Sequence, residues 1–377
     1  MRLKVYSILF IFLLILAACG TTEAEDTITT TSGKGSKGSL HLKASSGVPT
    51  EHFWDRGFFA PLLKEVEEDS GEELSFDKFV AGELVELGNE FDALNSGSID
   101  IALTLMGPYD PQRFPYTEVV MLPTLGSDAE MVTEALENLM KSDHVIANGK
   151  TFYEIEFEDK GLVAFPNPAT EPYVISTTKN KFEKKDDFTQ TIRLRTASRV
   201  HEILSEKLGV TGQSMPISES YDALSRNALD GIIYNAPDWI AFGFDELIKH
   251  TIVDANVGHF AGYTAMKQET WDSFSTELQQ LFEEKAYEIT HHGASLTKGE
   301  TEENYASNKE KGGEIISFQD LDPDLKQHLE AAIVDTWFDW IEILEADGFA
   351  GNEIALLWRD LLMDAGGTLP QEILDLE

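Results

Sequence analysis

The sequence predicts an α/β protein of two lobes, each a sheet with helices on its faces. Three observations predict it. The chain has 377 residues, more than one hydrophobic core usually holds. Its N-terminal half alternates strand-like and helix-like segments at lengths that suit a parallel sheet with helices on its faces. An eight-residue pattern also recurs far downstream: Ala93-Leu94-Asn95-Ser96-Gly97-Ser98-Ile99-Asp100 is echoed by Ala223-Leu224-Ser225-Arg226-Asn227-Ala228-Leu229-Asp230. In both, a helix ends on a residue that tolerates left-handed geometry, and an Asp then precedes or opens a strand.

The elements follow in order. Leu40 to Ala44 alternates and reads as a first strand. After the turn Ser45-Ser46-Gly47-Val48-Pro49, Phe58, Phe59, Leu62, Leu63 and Val66 form a helical stripe ended by Asp69-Ser70-Gly71. Ser75 to Val80 predicts a second strand. Leu84, Leu87, Phe91 and Leu94 predict another helix face, stopped at Asn95-Ser96-Gly97, and Ile99 to Leu103 a third strand. Thr191-Ile192-Arg193-Leu194-Arg195 alternates, with Ile192 and Leu194 on its buried side. Trp271 to Ala306 predicts a long helix touching both lobes, with Leu278, Leu281, Phe282, Ala286 and Ile289 on one side. Trp337, Phe338, Trp340 and Trp358 are expected to pack C-terminal helices.

The chain opens differently. Arg2 and Lys4 precede an unbroken apolar run from Ile8 to Leu16, followed by Ala17-Ala18-Cys19. The run is far shorter than the ~20 residues that span a bilayer, so residues 1–18 read as a signal peptide. Cys19 is the only cysteine, which excludes an intrachain disulfide. Its place after Leu-Ala-Ala resembles the lipobox of bacterial lipoproteins, in which the cysteine carries lipid and becomes the mature N-terminus. Residues 19–39 are then the lipidated cysteine and a flexible tether of Thr, Ser, Gly and charge.

Acids outnumber bases 67 to 29, for a formal charge of −38. Such a surface repels nucleic acid and anionic headgroups, and it attracts no anionic ligand. An anion must therefore be captured by a local cation.

Enzyme constellations are absent from the sequence. It has no Walker phosphate loop and no Gly-x-Ser-x-Gly. The one Gly-x-Gly-x-x-Gly match, Gly33 to Gly38, lies in the tether without flanking strand or helix. His291 and His292 are adjacent and point apart on a helix, which suits solvation better than a metal. No cofactor or metal is expected. Arginine is more informative. Three of the eight lie at Arg193, Arg195 and Arg199. Arg195 closes a strand, and in open α/β sheets ligands bind beyond that end. A guanidinium there can grip a carboxylate through two parallel hydrogen bonds. Spacing alone leaves a surface ion pair equally open for Arg195; Arg193 reads as the solvated one.

Ile192-Arg193-Leu194-Arg195-Thr196, Leu208-Gly209, Met215 to Leu224 and Leu229-Asp230-Gly231 together resemble the core signature of the solute receptors of TRAP transporters. Phe79 to Leu84, Glu90 to Asp100, Phe114-Pro115 and Val119 to Pro123 are similar in order and spacing, so the likeness covers roughly residues 40 to 320. The resemblance implies a periplasmic-binding-protein-like fold with a long helix spanning both lobes. It implies lobe I at 40–165 plus about 255–295, and lobe II at 166–254 plus about 296–377. Arg195 would hold the ligand carboxylate. Ser45, Thr104, Ser198, Ile217 and Tyr234 or Asn235 match ligand-facing positions. Trp54, Tyr109, Tyr173 and Trp239 lie near cleft loops, where each serves either a ring-bearing acid or packing. The implied protein is no enzyme. Its implied partners are a small organic acid and the membrane subunits of a secondary transporter, and its implied place is the outer face of a bacterial membrane. Many relatives carry a second arginine some twenty residues before the first. Here that stretch is Ala169-Thr170-Glu171-Pro172-Tyr173, which disfavours a dicarboxylate. Two other readings remain open: a receptor of this shape serving another transporter class or a sensor, and a surface lipoprotein hydrolase with a carboxylate pair.

Overall fold

The computed structural model describes residues 39–71 and 73–377. Residues 1–38, on which the expected signal peptide, Cys19 and nearly all of the expected tether fall, lie outside the described residues.

Two mixed sheets organise the chain. The first has the order β2-β1-β3-β10-β4, built from β1 (Leu40–Ser45), β2 (Leu74–Phe79), β3 (Ile101–Leu105), β4 (Leu162–Pro166) and β10 (Tyr263–Lys267). The second has the order β11-β9-β5-β8-β6-β7. Its strands are β5 (Val174–Thr177), β6 (Arg193–Thr196), β7 (Thr211–Ser214), β8 (Gly231–Tyr234), β9 (His250–Val253) and β11 (Glu314–Ser317). The sheets are not wholly parallel, as the sequence led us to expect. In the first, β10 runs antiparallel to β3 and β4; in the second, β5 runs antiparallel to β8 and β9. These antiparallel strands belong to the connections that pass from one sheet to the other, at 167–173 and 254–262, and no local pattern marks them.

The sequence echo is a structural repeat. Gly97 and Asn227 both take left-handed φ, 70° and 57°. The Asp100 carboxylate then accepts the Lys43 N–H at 2.8 Å, and the Asp230 carboxylate accepts the Arg193 N–H at 3.0 Å. Register agrees as well. Ser45 lies beside Ala102 on the neighbouring strand, as Arg195 lies beside Ile232. Gly231 is required by crowding: a Cβ there would stand 2.1 Å from the Ser176 carbonyl oxygen and 2.8 Å from Leu194. The Leu-Asp-Gly run is thus a strand-entry device, with Asp tying the neighbouring strand and Gly making room.

Helices cover the sheets. These are α1 (Ala60–Asp69), α2 (Glu90–Ser96), α3 (Ala129–Met140), α4 (Arg199–Leu208), α5 (Ile217–Ser225), α6 (Thr276–Glu310), α7 (Pro323–Ala346) and α8 (Gly351–Asp364). The long α6 begins where the Ser275 hydroxyl accepts the Leu278 N–H, so Trp271 falls in a separate short helix, Gln268–Ser273. Leu278, Phe282, Ala286 and Ile289 are buried on one side of α6. It packs on β4 of the first sheet and β11 of the second, and so spans both lobes. Helix α7 packs on α4, and α8 on α3. Trp337, Trp340 and Trp358 are fully buried, but Phe338 is exposed. It sits beside Trp337 on α7 and so points away from the side that packs. The face expected from Leu84 to Leu94 is helical only over Glu90–Ser96. Gly82 and Gly88 take positive φ, which breaks the earlier turn and leaves Leu84 exposed.

Candidate functional site

Three arginines lie along strand β6 and just beyond it, Arg193 opening the strand and Arg199 opening α4, with three different fates. Arg193 is half-exposed and paired with Asp230 at 3.0 Å. Arg199, in the first turn of α4, donates its Nε–H to buried Glu118 at 2.8 Å. Arg195 is 1% exposed. Its Nε–H donates to the Met215 carbonyl at 3.0 Å, and Nη1 to the Ile233 carbonyl at a long 3.5 Å. Its guanidinium carbon lies 5.7 Å from the centre of the Tyr234 ring. No Asp or Glu among the described residues forms an ion pair with it. A guanidinium has five N–H donors; here two meet backbone carbonyls, and the neutral phenols of Tyr109 and Tyr173 also lie against it. A buried charge without a partner is strongly unfavourable, so this group is poised for an anion.

Arg195 lines a cavity between the strand ends of the two sheets. The other walls are Val48, His52, Trp54, Leu87, Met106, Tyr109, Thr170, Tyr173, Ile217, Tyr234, Asn235 and Phe260. No carboxylate lines it. Five aromatic rings do, with His52 as a sixth planar group. Thr170, Tyr173 and Phe260 come from the two connections between the sheets, where the Thr170 hydroxyl accepts the Phe260 N–H at 2.9 Å. The cavity is small, about 30 Å³, room for a water or two. A ring-sized acid gains access only if the lobes part. Three larger hollows, about 670, 640 and 450 Å³, lie elsewhere. They are open grooves lined by charged and polar side chains, and none holds a buried cation.

Arg195, Ile217, Tyr234, Asn235 and Trp54 are brought together at the cavity. Tyr109 and Tyr173, read from sequence as either ligand contacts or packing, also line it. Ser45, Thr104 and Ser198 are buried but do not line it. The Thr104 hydroxyl is occupied, accepting the Gly47 N–H at 2.9 Å. The hydroxyls of Ser45 and Ser198 have no protein partner, nor do the two amide atoms of Asn235. Trp239 packs on Tyr305, away from the cavity. Sequence reasoning missed His52, Phe260, Leu87 and Met106. Each sits in an irregular segment, where only the fold decides which side chain faces inward.

Burial governs the electrostatics. It lowers His52 to about 3, helped by the positive Arg56. It lowers His201, whose ring stacks on Tyr173 at 5.1 Å, to about 3, helped by Arg195. Both imidazoles are neutral at pH 7, so Arg195 is the only charge on the cavity wall. Burial also raises the phenols of Tyr109 and Tyr173, which the nearby guanidinium of Arg195 opposes. Asp238, behind the wall, is raised to about 7 by burial, against the Phe53 N–H and Arg56. Among the described residues no group of three or more His, Cys, Asp or Glu is arranged to hold a metal, and no helix is long and apolar enough to cross a membrane.

Solved structures share this architecture. A TRAP solute-binding protein of an unidentified marine microbe, specific for aromatic acid ligands and solved with metahydroxyphenylacetate, is 22% identical with a TM-score of 0.75, covering 87% of this chain and 99% of that one. One from Rhodoferax ferrireducens, solved with copurified benzoate, is 17% identical with a TM-score of 0.73, covering 87% and 98%. One from Bordetella bronchiseptica, with bound (R)- and (S)-mandelate, is 17% identical with a TM-score of 0.73, covering 86% and 99%. At these identities the likeness carries the fold. The sequence profile of the bacterial extracellular solute-binding proteins, family 7, matches residues 44–337, more than three quarters of the chain. The protein therefore belongs to this DctP family of extracytoplasmic solute receptors.

Proposed function

We propose that the protein captures a small aromatic or otherwise apolar monocarboxylate and delivers it to the membrane subunits of a TRAP-type transporter. One observation carries the reading: Arg195 is a buried guanidinium without a carboxylate partner, on the wall of a ring-lined cavity. The ligand carboxylate takes the free N–H donors of Arg195 as a charge-assisted fork. Asn235 offers both a donor and an acceptor beside it, and Trp54, Tyr109, Tyr173 and Phe260 receive the apolar body. Tyr173 stands in the stretch where many TRAP receptors carry a second arginine. One cation then selects one carboxylate. The aromatic acids bound by the similar structures above agree with this choice.

Ligand binding begins with the lobes apart. Closure by hinge motion excludes water and strengthens the ion pair. The lobes proposed are 40–165 with about 255–295, and 166–254 with about 296–377, with α8 reaching back to α3. The receptor is held to the outer membrane face by lipid on Cys19, after removal of residues 1–18. Loss of palmitate labelling in Cys19→Ala tests the anchor.

A thermal-shift panel tests the ligand. Benzoate, 3-hydroxybenzoate and mandelate should each raise the melting midpoint, as ligands of the native state do; succinate and malate should not. A shift with the dicarboxylates alone would overturn the monocarboxylate reading.

A further inference from the structure

Behind the cavity wall, one carboxylate draws donors from the opposite lobe. Asp238 follows β8 of the second sheet and is fully buried. Its Oδ1 accepts the Phe53 N–H at 2.9 Å and lies 3.6 Å from Arg56. Its Oδ2 accepts the Tyr234 hydroxyl at 3.4 Å and lies 3.4 Å from His52 Nε2. The His52 tautomer is fixed, because its Nδ1 accepts the Trp54 N–H at 3.2 Å. Nε2 therefore carries the proton and faces Asp238.

Segment 52–56 belongs to the first lobe. Asp55 pairs with Lys78 on β2 at 2.8 Å, and the turn runs straight into α1. Two further ties bring the long helix into the same knot. Arg56 pairs with Glu300 of α6. The Asn304 side chain of α6 donates to the Pro237 carbonyl at 2.9 Å. Two of the residues that touch Asp238, His52 and Tyr234, line the cavity from opposite lobes.

We propose that Asp238 is the latch between the lobes: it gathers donors from segment 52–56, holds His52 and Tyr234 at the cavity wall, and sets how long a bound solute stays. It is a positioning residue, since it does not itself line the cavity. The proposal rests on the reading that this cavity holds the ligand. Its reach is specific. With the latch loosened, a solute still finds Arg195 in the open cleft, so association is preserved. The closed state is less populated, so dissociation accelerates.

The test compares the full chain with Asp238→Asn, which keeps the shape but turns an amide N–H₂ toward groups that are themselves donors. In ligand-free protein, hydrogen–deuterium exchange of the peptide spanning 50–57 should accelerate at least tenfold, with β1 and β8 unchanged. Stopped-flow tryptophan fluorescence with benzoate should show dissociation at least tenfold faster and association within twofold of wild type. Arg56→Met, at a half-exposed partner, should give the same pattern at two- to fivefold. Unchanged exchange at 50–57, or acceleration spread evenly over all strands, would overturn the latch. If Asp238→Asn does not fold, Arg56→Met decides by the same readouts. If benzoate does not bind the wild type, the exchange experiment still decides the latch, and the carboxylate reading fails separately.

Discussion

Replacing Arg195 should move ligand affinity and ligand-free stability in opposite directions. Arg195→Met keeps the length and apolar stem of the side chain and removes the charge. In the complex, truncating one partner of a buried charge pair costs roughly 2–5 kcal/mol. At 1.4 kcal/mol per tenfold, that is a loss of about 30- to several thousand-fold. In the ligand-free protein the terms reverse. The Met215 carbonyl loses its donor, a cost of roughly 1 kcal/mol, while the bond to the Ile233 carbonyl is already long at 3.5 Å and its loss adds little. Against this, an unpaired guanidinium no longer has to be buried, and replacing buried ionic groups by hydrophobes often stabilises by about 1–4 kcal/mol. The net runs from about zero to a gain of roughly 3 kcal/mol, or up to about 4 °C in melting midpoint for a chain of this size. Arg195→Lys keeps the charge but loses the planar fork and the Nε–H bond to Met215, for an affinity loss of about 10- to 150-fold. Calorimetry with benzoate and melting without ligand measure both effects. Benzoate affinity within threefold of wild type in Arg195→Met would refute the clamp. A ligand-free Arg195→Met that melts below wild type would refute the claim that the cation is uncompensated.

Three other substitutions test separate parts of the account. Burial raises Glu156 to about 8; its Oε1 accepts the Tyr116 N–H at 3.0 Å, and its Oε2 has no protein partner. Because the folded pKa lies above the ordinary 4.5, this group's contribution is fully present below pH 4.5 and is lost as pH rises to about 8. Glu156→Gln imitates the protonated form, so it should melt like wild type near pH 4.5 and several degrees higher at pH 9; a gap independent of pH would contradict the shift. At Gly258, φ is +112° and a Cβ would stand 2.2 Å from the Met121 carbonyl oxygen, so Gly258→Ala should lose at least about 3 kcal/mol, seen as a melting drop of roughly 4 °C or more. Tyr173→Arg should weaken benzoate at least tenfold and confer measurable succinate binding by calorimetry; no gain for succinate would mean that position 173 does not set the charge of the ligand.

Much of this site was legible because its cation sits in regular structure. Alternation around Arg195 placed it at a strand end, and the fold class said that strand ends face the ligand. Alternation could not say whether a carboxylate would reach it. Arg193, two residues earlier on the same face, found Asp230, whereas Arg195 lies one pleat further along, beyond that reach. The rest of the wall was less legible for a physical reason. His52, Leu87, Met106 and Phe260 lie in turns and connections, which have no period to read. Ser45 and Thr104 were expected in the cavity because they match ligand-facing positions of the TRAP receptors. Their backbones do lie at strand ends, but the Thr104 hydroxyl caps the turn at Gly47 instead. The mixed strand direction was hidden for a similar cause: β5 and β10 are short apolar runs like any other, and direction is set by how the chain crosses between sheets.

The repeat within the fold leads to a last prediction. Ser45 and Arg195 occupy the same place in the two copies, in the same register to the neighbouring strand. One lobe thus has a buried hydroxyl, off the cavity wall, where the other has a guanidinium on it, and the site carries a single positive charge inside a chain of formal charge −38. An anion approaching it is repelled at long range and attracted only in the cleft, where Arg195 is sheltered from salt. The two steps must therefore respond differently to ionic strength. The Debye length falls from about 30 Å at 0.01 M to about 8 Å at 0.15 M, so added salt should screen the outer field and raise the association rate of benzoate about two- to fivefold. The dissociation rate, governed by a buried pair in a closed lobe, should change much less. Salt would then tighten the binding of an anion, the reverse of ordinary surface ion pairing. Stopped-flow association measured from 10 to 300 mM sodium chloride decides it: rates that fall with salt would mean that capture is steered by exposed basic groups, and that the buried guanidinium is not the first point of contact.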